Sequence, residues 1–263
     1  MLIRTGADQF LGRLMRLLIT RPRDDAGSLI GPLAALGIET LIEPMLCIRY
    51  LDGPPPDLAE VQAILATSAN GVRALVRRSD DRDVAVFAVG DATAGAARAA
   101  GYRAVESAQG TVEDLARLVC ARLDAGAGAL LHVAGKTVTG DLGKRVADAG
   151  FTCFRHVFYE AVPVEHFTEA AVRAMGAGEM DGVVFFSPRT AAIFVSLAKA
   201  HDLTEACPGM VAYYLSPAVA EQARLLTWRR VVTATRPNQD ALILGIGQDR
   251  TADTVRSKAG KTI

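Results

Sequence analysis

The sequence predicts an α/β protein of two similar parallel-sheet lobes, and three observations predict it. Strand-like and helix-like runs alternate from Arg16 to the C-terminal region, the order that builds parallel sheets from right-handed βαβ units. Runs such as Val183-Val184-Phe185-Phe186 contain no polar member, as a strand covered on both faces requires. The chain also repeats itself after about 113 to 126 residues. Ser68, after Ala63–Thr67, matches Ser187 after the run ending at Phe186, and Phe87–Ala94 matches Tyr213–Ala220. Arg16–Thr20 matches Ala129–Val133, and Gly37 matches Gly150. A chain of 263 residues can hold one large domain or two smaller ones, and a repeat of this length decides for two.

The elements follow in order. Arg16–Thr20 predicts a strand, and Arg21-Pro22 turns it into a helix that ends near Leu36, with Gly37 as its C′ residue. Ile38–Tyr50 is extended, and Pro44 within it marks an edge or crossing segment. After the stiff Gly53-Pro54-Pro55-Pro56 connector, Asp57 caps a short helix before the strand Ala63–Thr67. A helix over 69–78, the strand Val84–Val89, a small-residue helix from Gly90 to Gly101 and a short strand Arg103–Val105 come next. Thr111 with Glu113 and Asp114 opens another helix, an N-cap followed by acids in its first turn. Ala129–Val133 is a strand, Gly135 to Ala149 a turn and helix, and Phe151–Pro163 a second extended segment. A helix over 166–176, a strand over 182–186, a helix opened by Ser187-Pro188, the strand Met210–Leu215, a helix from Ser216, the strand Arg230–Ala234 and a helix capped near Asn238 complete the chain.

The two extended segments hold equivalent places in the two copies and predict crossings between lobes. The first lobe, flavodoxin-like and discontinuous, takes 16–45 plus 165–247; the second, of the same kind, takes 53–153. The crossing segments are 41–52 and 154–164, and residues 1–14 and 248–263 are expected to be flexible tails. Two lobes with two connections imply a cleft, a common place for a ligand.

Composition excludes several classes. Lys and Arg number 29, as do Asp and Glu, so no bulk electrostatic grip on nucleic acid or an anionic membrane is expected. No run approaches the roughly 20 apolar residues of a membrane span, and residues 1–14, with Arg4, Asp8 and Arg13, are not a secretory signal. Cys47, Cys120, Cys153 and Cys207 show no C-x-x-C spacing and read as reduced, mostly buried thiols of a cytoplasmic protein. His132 and His156 lie on strands and read as structural.

Laid out in this way, the chain resembles the uroporphyrinogen-III synthase family. The matching marks are Leu18-Ile19-Thr20-Arg21-Pro22, Thr67-Ser68 with Asn70-Gly71, Val89-Gly90-Asp91-Ala92-Thr93-Ala94, Val133-Ala134-Gly135-Lys136, Tyr159, and Phe185-Phe186-Ser187-Pro188. No single string is sharp; their order and spacing over about 16–245 carry the likeness. The resemblance implies two α/β lobes joined by a two-stranded ladder. It also implies closure of the linear tetrapyrrole hydroxymethylbilane into a macrocycle, with loss of water and inversion of the terminal pyrrole ring. No metal and no organic cofactor is implied, and the partner is the small-molecule substrate alone, acted on by a monomer.

That chemistry needs a proton donor for the departing hydroxide, while the substrate's own nitrogen stabilises the cation. The protein's main work is then to fold the chain so that the wrong end cannot close first. A phenol can donate as the leaving oxygen becomes basic. By match to the family's tyrosine, Tyr159 is the candidate acid; the competing reading is a core aromatic in a ladder. Strand-end turns that open helices present free N–H groups to the substrate's carboxylates. The candidate binding residues are Thr20, Arg21, Ser68, Asn70, Gly90, Thr93, Gly135, Lys136, Ser187, Pro188, Ser216 and Pro217. Each hydroxyl can equally be a plain helix cap, and Arg23 and Arg189 read as an ordinary solvated face. Where the family shows Gly-Pro and then hydroxyl residues, this chain has Ser216-Pro217-Ala218-Val219, so two candidate hydroxyls are missing.

Two rival classes fit part of the same pattern. A non-catalytic two-lobed small-molecule binding or sensor protein would show the same cleft, without turnover of hydroxymethylbilane. Receiver or flavin modules would need acidic clusters or aromatic loop flanks at the strand ends, where Thr20, Thr67, Val133 and Ser187 stand instead.

Overall fold

A computed structural model describes residues 14–138 and 140–259, with backbone alone for 252–259. Strand β1 (Met15–Ile19) leads through Pro22 into α1 (Arg23–Ala35), and Gly37, at φ +64°, releases the chain from that helix. β2 (Ile38–Ile42) and β3 (Leu46–Tyr50) are separate strands, divided at Pro44. Four strand–helix pairs follow: β4 (Val61–Ala66) with α2 (Ala69–Leu75), β5 (Ala85–Ala88) with α3 (Asp91–Ala99), β6 (Val105–Ser107) with α4 (Val112–Arg122), and β7 (Ala129–Gly135) with α5 (Leu142–Asp148). β8 (Cys153–Pro163) precedes α6 (Glu169–Gly176), β9 (Gly182–Phe185) and α7 (Pro188–Ala200). β10 (Val211–Tyr214), α8 (Pro217–Gln222), β11 (Arg230–Thr233) and α9 (Gln239–Ala259) close the chain.

The fold is mixed α/β with parallel sheets, and the chain divides into two compact units. One is Met1–Cys47 with Pro163–Ile263, the other Ile48–Val162. The discontinuous unit holds a sheet in the order β11-β10-β9-β1-β2, every neighbouring pair parallel. In chain order this is the flavodoxin arrangement, with the first strand beside the third. Period-2 alternation sends Leu18, Val183, Phe185 and Tyr214 to one face, under α6, α7 and α8. Leu17, Ile19, Val184 and Tyr213 go to the other face, under α1 and α9.

The continuous unit holds the sheet β3-β8-β7-β4-β5-β6, parallel from β8 to β6. Ile64, Ala66, Val86 and Leu131 pack with α2 and α3, while Ala63, Leu65, Phe87 and Leu130 pack with α4 and α5. The repeat seen in the sequence has a spatial counterpart. Its matches pair β1 with β7, β9 with β4 and β10 with β5, and those strands hold the same positions in the two sheets. What differs is where the chain enters: one unit is a circular permutation of the other.

Three expectations are corrected. No helix follows Asp57; its Oδ1 accepts the Ala59 N–H at 3.0 Å, an Asx turn in a stretch already stiffened by three prolines. The tail expected to be loose from Gln248 is helical to Ala259, because Asp249 is held from the sheet by Tyr213 and Arg230, both at strand positions. The expected tail over 1–13 and the last residues, 260–263, lie outside the described residues. The third concerns the cysteines, all four of which are free. Cys207 alone is buried, its thiol pushed up to about 11 by burial and by Glu205, while Cys47 and Cys120 are exposed. Cys47 lies on the outermost strand of its sheet, and Cys120 on the solvent side of α4, whose inward residues are Leu115, Ala116 and Val119.

Candidate active site

Parallel strands covered by helices on both faces leave their carboxyl ends as the open places, most of all where the chain's path reverses direction. In the continuous unit that point lies between β4 and β7. Ser68 follows β4 and caps α2, its Oγ accepting the Asn70 N–H at 3.1 Å. Asn70 is buried, and its side-chain Oδ1 accepts from the Arg73 guanidinium at 2.8 Å. Gly71 lets this helix sit directly on β7, since a Cβ there would stand 2.6 Å from the Val133 carbonyl oxygen. Beside it, Thr67 Oγ1 and His132 Nε2 lie 3.2 Å apart, with the imidazole held neutral by burial first and by the charge of Arg155 second, its pKa lowered to about 4.

On the other side of the reversal, β7 ends at Gly135, and β8 brings Tyr159 against it. The ladder steps from Ala134 opposite Val157 to Gly135 opposite Tyr159, so β8 carries one extra residue, Phe158. A bulge of this kind breaks the alternation of faces and re-aims the side chain after it. Phe158 is fully buried, and Tyr159 is half-buried with its ring against the glycine. A Cβ at Gly135 would come within 2.8 Å of Tyr159 Cζ and 3.1 Å of its hydroxyl oxygen, so this ring position needs glycine. Lys136 donates its N–H to the Tyr159 carbonyl at 2.8 Å, and Arg155 donates to the carbonyls of Gly135 and Lys136 at 2.8 and 3.0 Å. Glu160 bridges two cations, Lys136 Nζ at 2.9 Å and the Arg49 guanidinium. These contacts hold the Glu160 carboxyl below its ordinary value, hydrogen bonds from Lys136 and Arg49 leading.

Gly90 opens α3 at the next strand end, with Asp91 exposed and Thr93 buried. The structure thus brings Ser68, Asn70, Gly90, Thr93, Gly135, Lys136 and Tyr159 to one sheet edge, in local groups: Ser68 with Asn70, Gly90 with Thr93, and Gly135, Lys136 and Tyr159 together.

In the discontinuous unit the reversal lies between β1 and β9. Thr20 is fully buried, its hydroxyl donating to the Val184 carbonyl at 2.8 Å, so it fixes the two strand ends together. Arg21 lies over the Phe186 ring at 4.5 Å and donates to Gln239 Oε1 at 2.9 Å. Ser187 caps α7 through the Thr190 N–H at 3.1 Å, with Pro188 exposed at the first helical position. Ser216 and Pro217 open α8 without a side-chain cap bond. Thr20, Arg21, Ser187, Pro188, Ser216 and Pro217 therefore share the carboxyl edge of this sheet.

Sequence reasoning missed Arg49, Arg155 and Glu160. The signal that would have found Glu160 is alternation along β8, and the bulge erases it. No cluster of three or more His, Cys, Asp or Glu able to hold a metal occurs among the described residues, and no helix there is long and apolar enough to cross a membrane.

Comparison with known proteins shows the family. Residues 28–244 match the family model described as uroporphyrinogen-III synthase HemD. A uroporphyrinogen-III synthase of Chlorobaculum parvum is 28% identical over 208 residues, covering 72% of this chain and 81% of that protein. Among solved structures, the Helicobacter pylori uroporphyrinogen-III synthetase aligns with a TM-score of 0.58 at 14% identity, covering 88% of this chain and 97% of that one. A mutant Thermus thermophilus uroporphyrinogen III synthase aligns at 0.51 and 20% identity, covering 91% and 99%. These two structural likenesses concern the fold. Nothing among the matches supports a two-lobed sensor. With the family model spanning most of its length, the chain belongs to the uroporphyrinogen-III synthase family, the cyclising lyases of tetrapyrrole and haem biosynthesis.

Proposed function

We propose that Tyr159 is the acid of this chain's reaction, protonating the hydroxyl that leaves hydroxymethylbilane, and that strand-end turns hold the substrate's carboxylates. The observation that carries the reading is the seating of the Tyr159 ring on Gly135, at the end of β7, where the chain's path through its sheet reverses. The next residue along β8, Glu160, pairs with Lys136 and Arg49, and Arg155 donates to the Gly135 carbonyl, so the same strand ends carry cations suited to a substrate rich in carboxylates. Loss of hydroxide leaves a cation that the substrate's own pyrrole nitrogen stabilises, so the protein contributes one proton and a set of positions.

The turns supply those positions. Ser68, Gly90, Ser187 and Ser216 each stand at an N-cap, where backbone N–H groups lack helical partners and favour an anion. Pro188 and Pro217 fix the entry of α7 and α8, while Thr20, Asn70 and Thr93 work from buried places, holding the turns in shape. Arg21 and Lys136 add charge. In this reading the two units act as lobes joined by the paired segments around β3 and β8, in a cytoplasmic monomer that meets a small molecule and neither nucleic acid nor membrane. Supporting the paired segments are two hydrogen bonds, Leu51 N–H to the Phe158 carbonyl at 2.9 Å and Val164 N–H to the Met45 carbonyl at 3.1 Å.

Tyr159→Phe tests it. The expected result is a fall in kcat of about tenfold to a hundredfold, with unchanged thermal unfolding and a product that is still mainly type III. An unchanged rate removes Tyr159 as the acid.

A further inference from the structure

The chain's formal charge is zero, yet Arg49 and Lys136 both pair with one carboxylate, that of Glu160, the residue after Tyr159, and Arg155 lies at the same strand end. Arg155 is committed to the carbonyls of Gly135 and Lys136. Arg49 and Lys136 are not held to backbone. Each reaches one oxygen of Glu160, Lys136 on Oε1 and Arg49 on Oε2, and both cations are about two-thirds exposed (64% and 65%), against 20% for Glu160. The gap between the two cations is therefore already shaped to take a single bridging carboxylate, and its outer side is open. Exposed ion pairs are weak, so exchanging this carboxylate for another costs little. A polycarboxylate ligand anchored elsewhere by its other arms arrives at high effective concentration and can make the exchange.

We propose that Arg49 and Lys136 form a carboxylate-binding subsite whose occupant in the free protein is Glu160, and that one acetate or propionate arm of the substrate takes Glu160's place. The proposal rests on the reading of Tyr159 and its surroundings as the active site. Glu160 then acts as an internal competitor. It keeps the two cations together and weakens the grip on any ligand that has too few arms to displace it, which makes it a specificity-determining residue.

Two variants separate this role from a structural one. Glu160→Gln removes the competitor's charge, so KM for hydroxymethylbilane should fall about threefold; the double variant Arg49→Gln with Lys136→Gln should raise it about tenfold and flatten its rise with salt. A structural Glu160 predicts the opposite sign, and a KM that rises or stays level in Glu160→Gln overturns the proposal. So does a double variant with unchanged KM and salt dependence. Because both cations are exposed, the double variant keeps the fold, which thermal unfolding verifies. A binding readout free of turnover accompanies the kinetics: fluorescence titration with uroporphyrin III, an octacarboxylate, should show tighter binding in Glu160→Gln and weaker binding in the double variant. Loss of all turnover in the unmodified protein would strike the functional reading alone, and the titration would still decide the subsite.

Discussion

His132 sits fully inside the sheet of the continuous unit, and its burial has a price in acid. Its imidazole titrates at about 4 in the fold against 6.5 in the open chain, burial being the larger cause and Arg155 the smaller. The folded pKa is the lower one, so between these values the unfolded chain binds a proton that the folded chain refuses. Stability is therefore complete above pH 6.5, declines as pH falls toward 4, and loses no more from this group below that. The full shift corresponds to about 3 kcal/mol. Urea midpoints measured across this window should fall in the parent and fall less in His132→Gln, which has no charge to gain and can still meet Thr67 Oγ1. If the difference between the two proteins does not change with pH, His132 is not the titrating group. The sequence identified this histidine as structural because it ends a predicted strand, but its neutrality was not legible. That depends on burial, to which the whole unit contributes, and on Arg155, which comes from β8.

At the scale of elements, α9 shows where a sequence pattern stops informing. From Gln248 onward the residues are polar and read as loose, yet Asp249 accepts the Tyr213 hydroxyl at 2.8 Å and pairs with Arg230 at 2.7 Å. Its side chain is 11% exposed. A single deeply placed polar contact extends a helix that hydrophobic periodicity would have ended at Ile246. Asp249→Ala should lower unfolding free energy by about 2 kcal/mol, a value below that of a fully buried pair because Arg230 still reaches solvent. Asp249→Asn, still an acceptor for Tyr213, should lose about half as much. A loss under about 0.5 kcal/mol in the alanine variant would show that the last turns of α9 are held by other contacts. The strands, caps and turns were legible because their signals are local: Gly37, Thr111, and Ser187 with Pro188 each act within a few residues. The seating of Tyr159 was not, since it needs a bulge in β8 and a bare glycine in β7, and neither leaves a mark in a single strand's alternation.

For the whole molecule, the repeat says more about assembly than about chemistry. The two sheets hold matching strands in matching order, but one unit is continuous, Ile48–Val162, while the other closes only when Met1–Cys47 meets Pro163–Ile263. The continuous unit has an apolar layer on each face of its sheet, built from its own helices. It is also of ordinary domain size. The discontinuous unit's central strand β9 pairs with β1, and these come from opposite ends of the chain. Its sheet therefore cannot close until the intervening unit is made, and closing it carries the cost of a long loop. A fragment of residues 48–162 should accordingly fold alone, with a cooperative urea transition and the far-ultraviolet dichroism of an α/β protein, whereas 163–263 alone should not. Adding a peptide of residues 14–47 to the latter should restore a cooperative transition, because β1 and β2 complete the sheet at β9. A fragment of 163–263 that folds without that peptide would mean that β9, β10 and β11 with their helices suffice, and that β1 is a late addition to a sheet already stable.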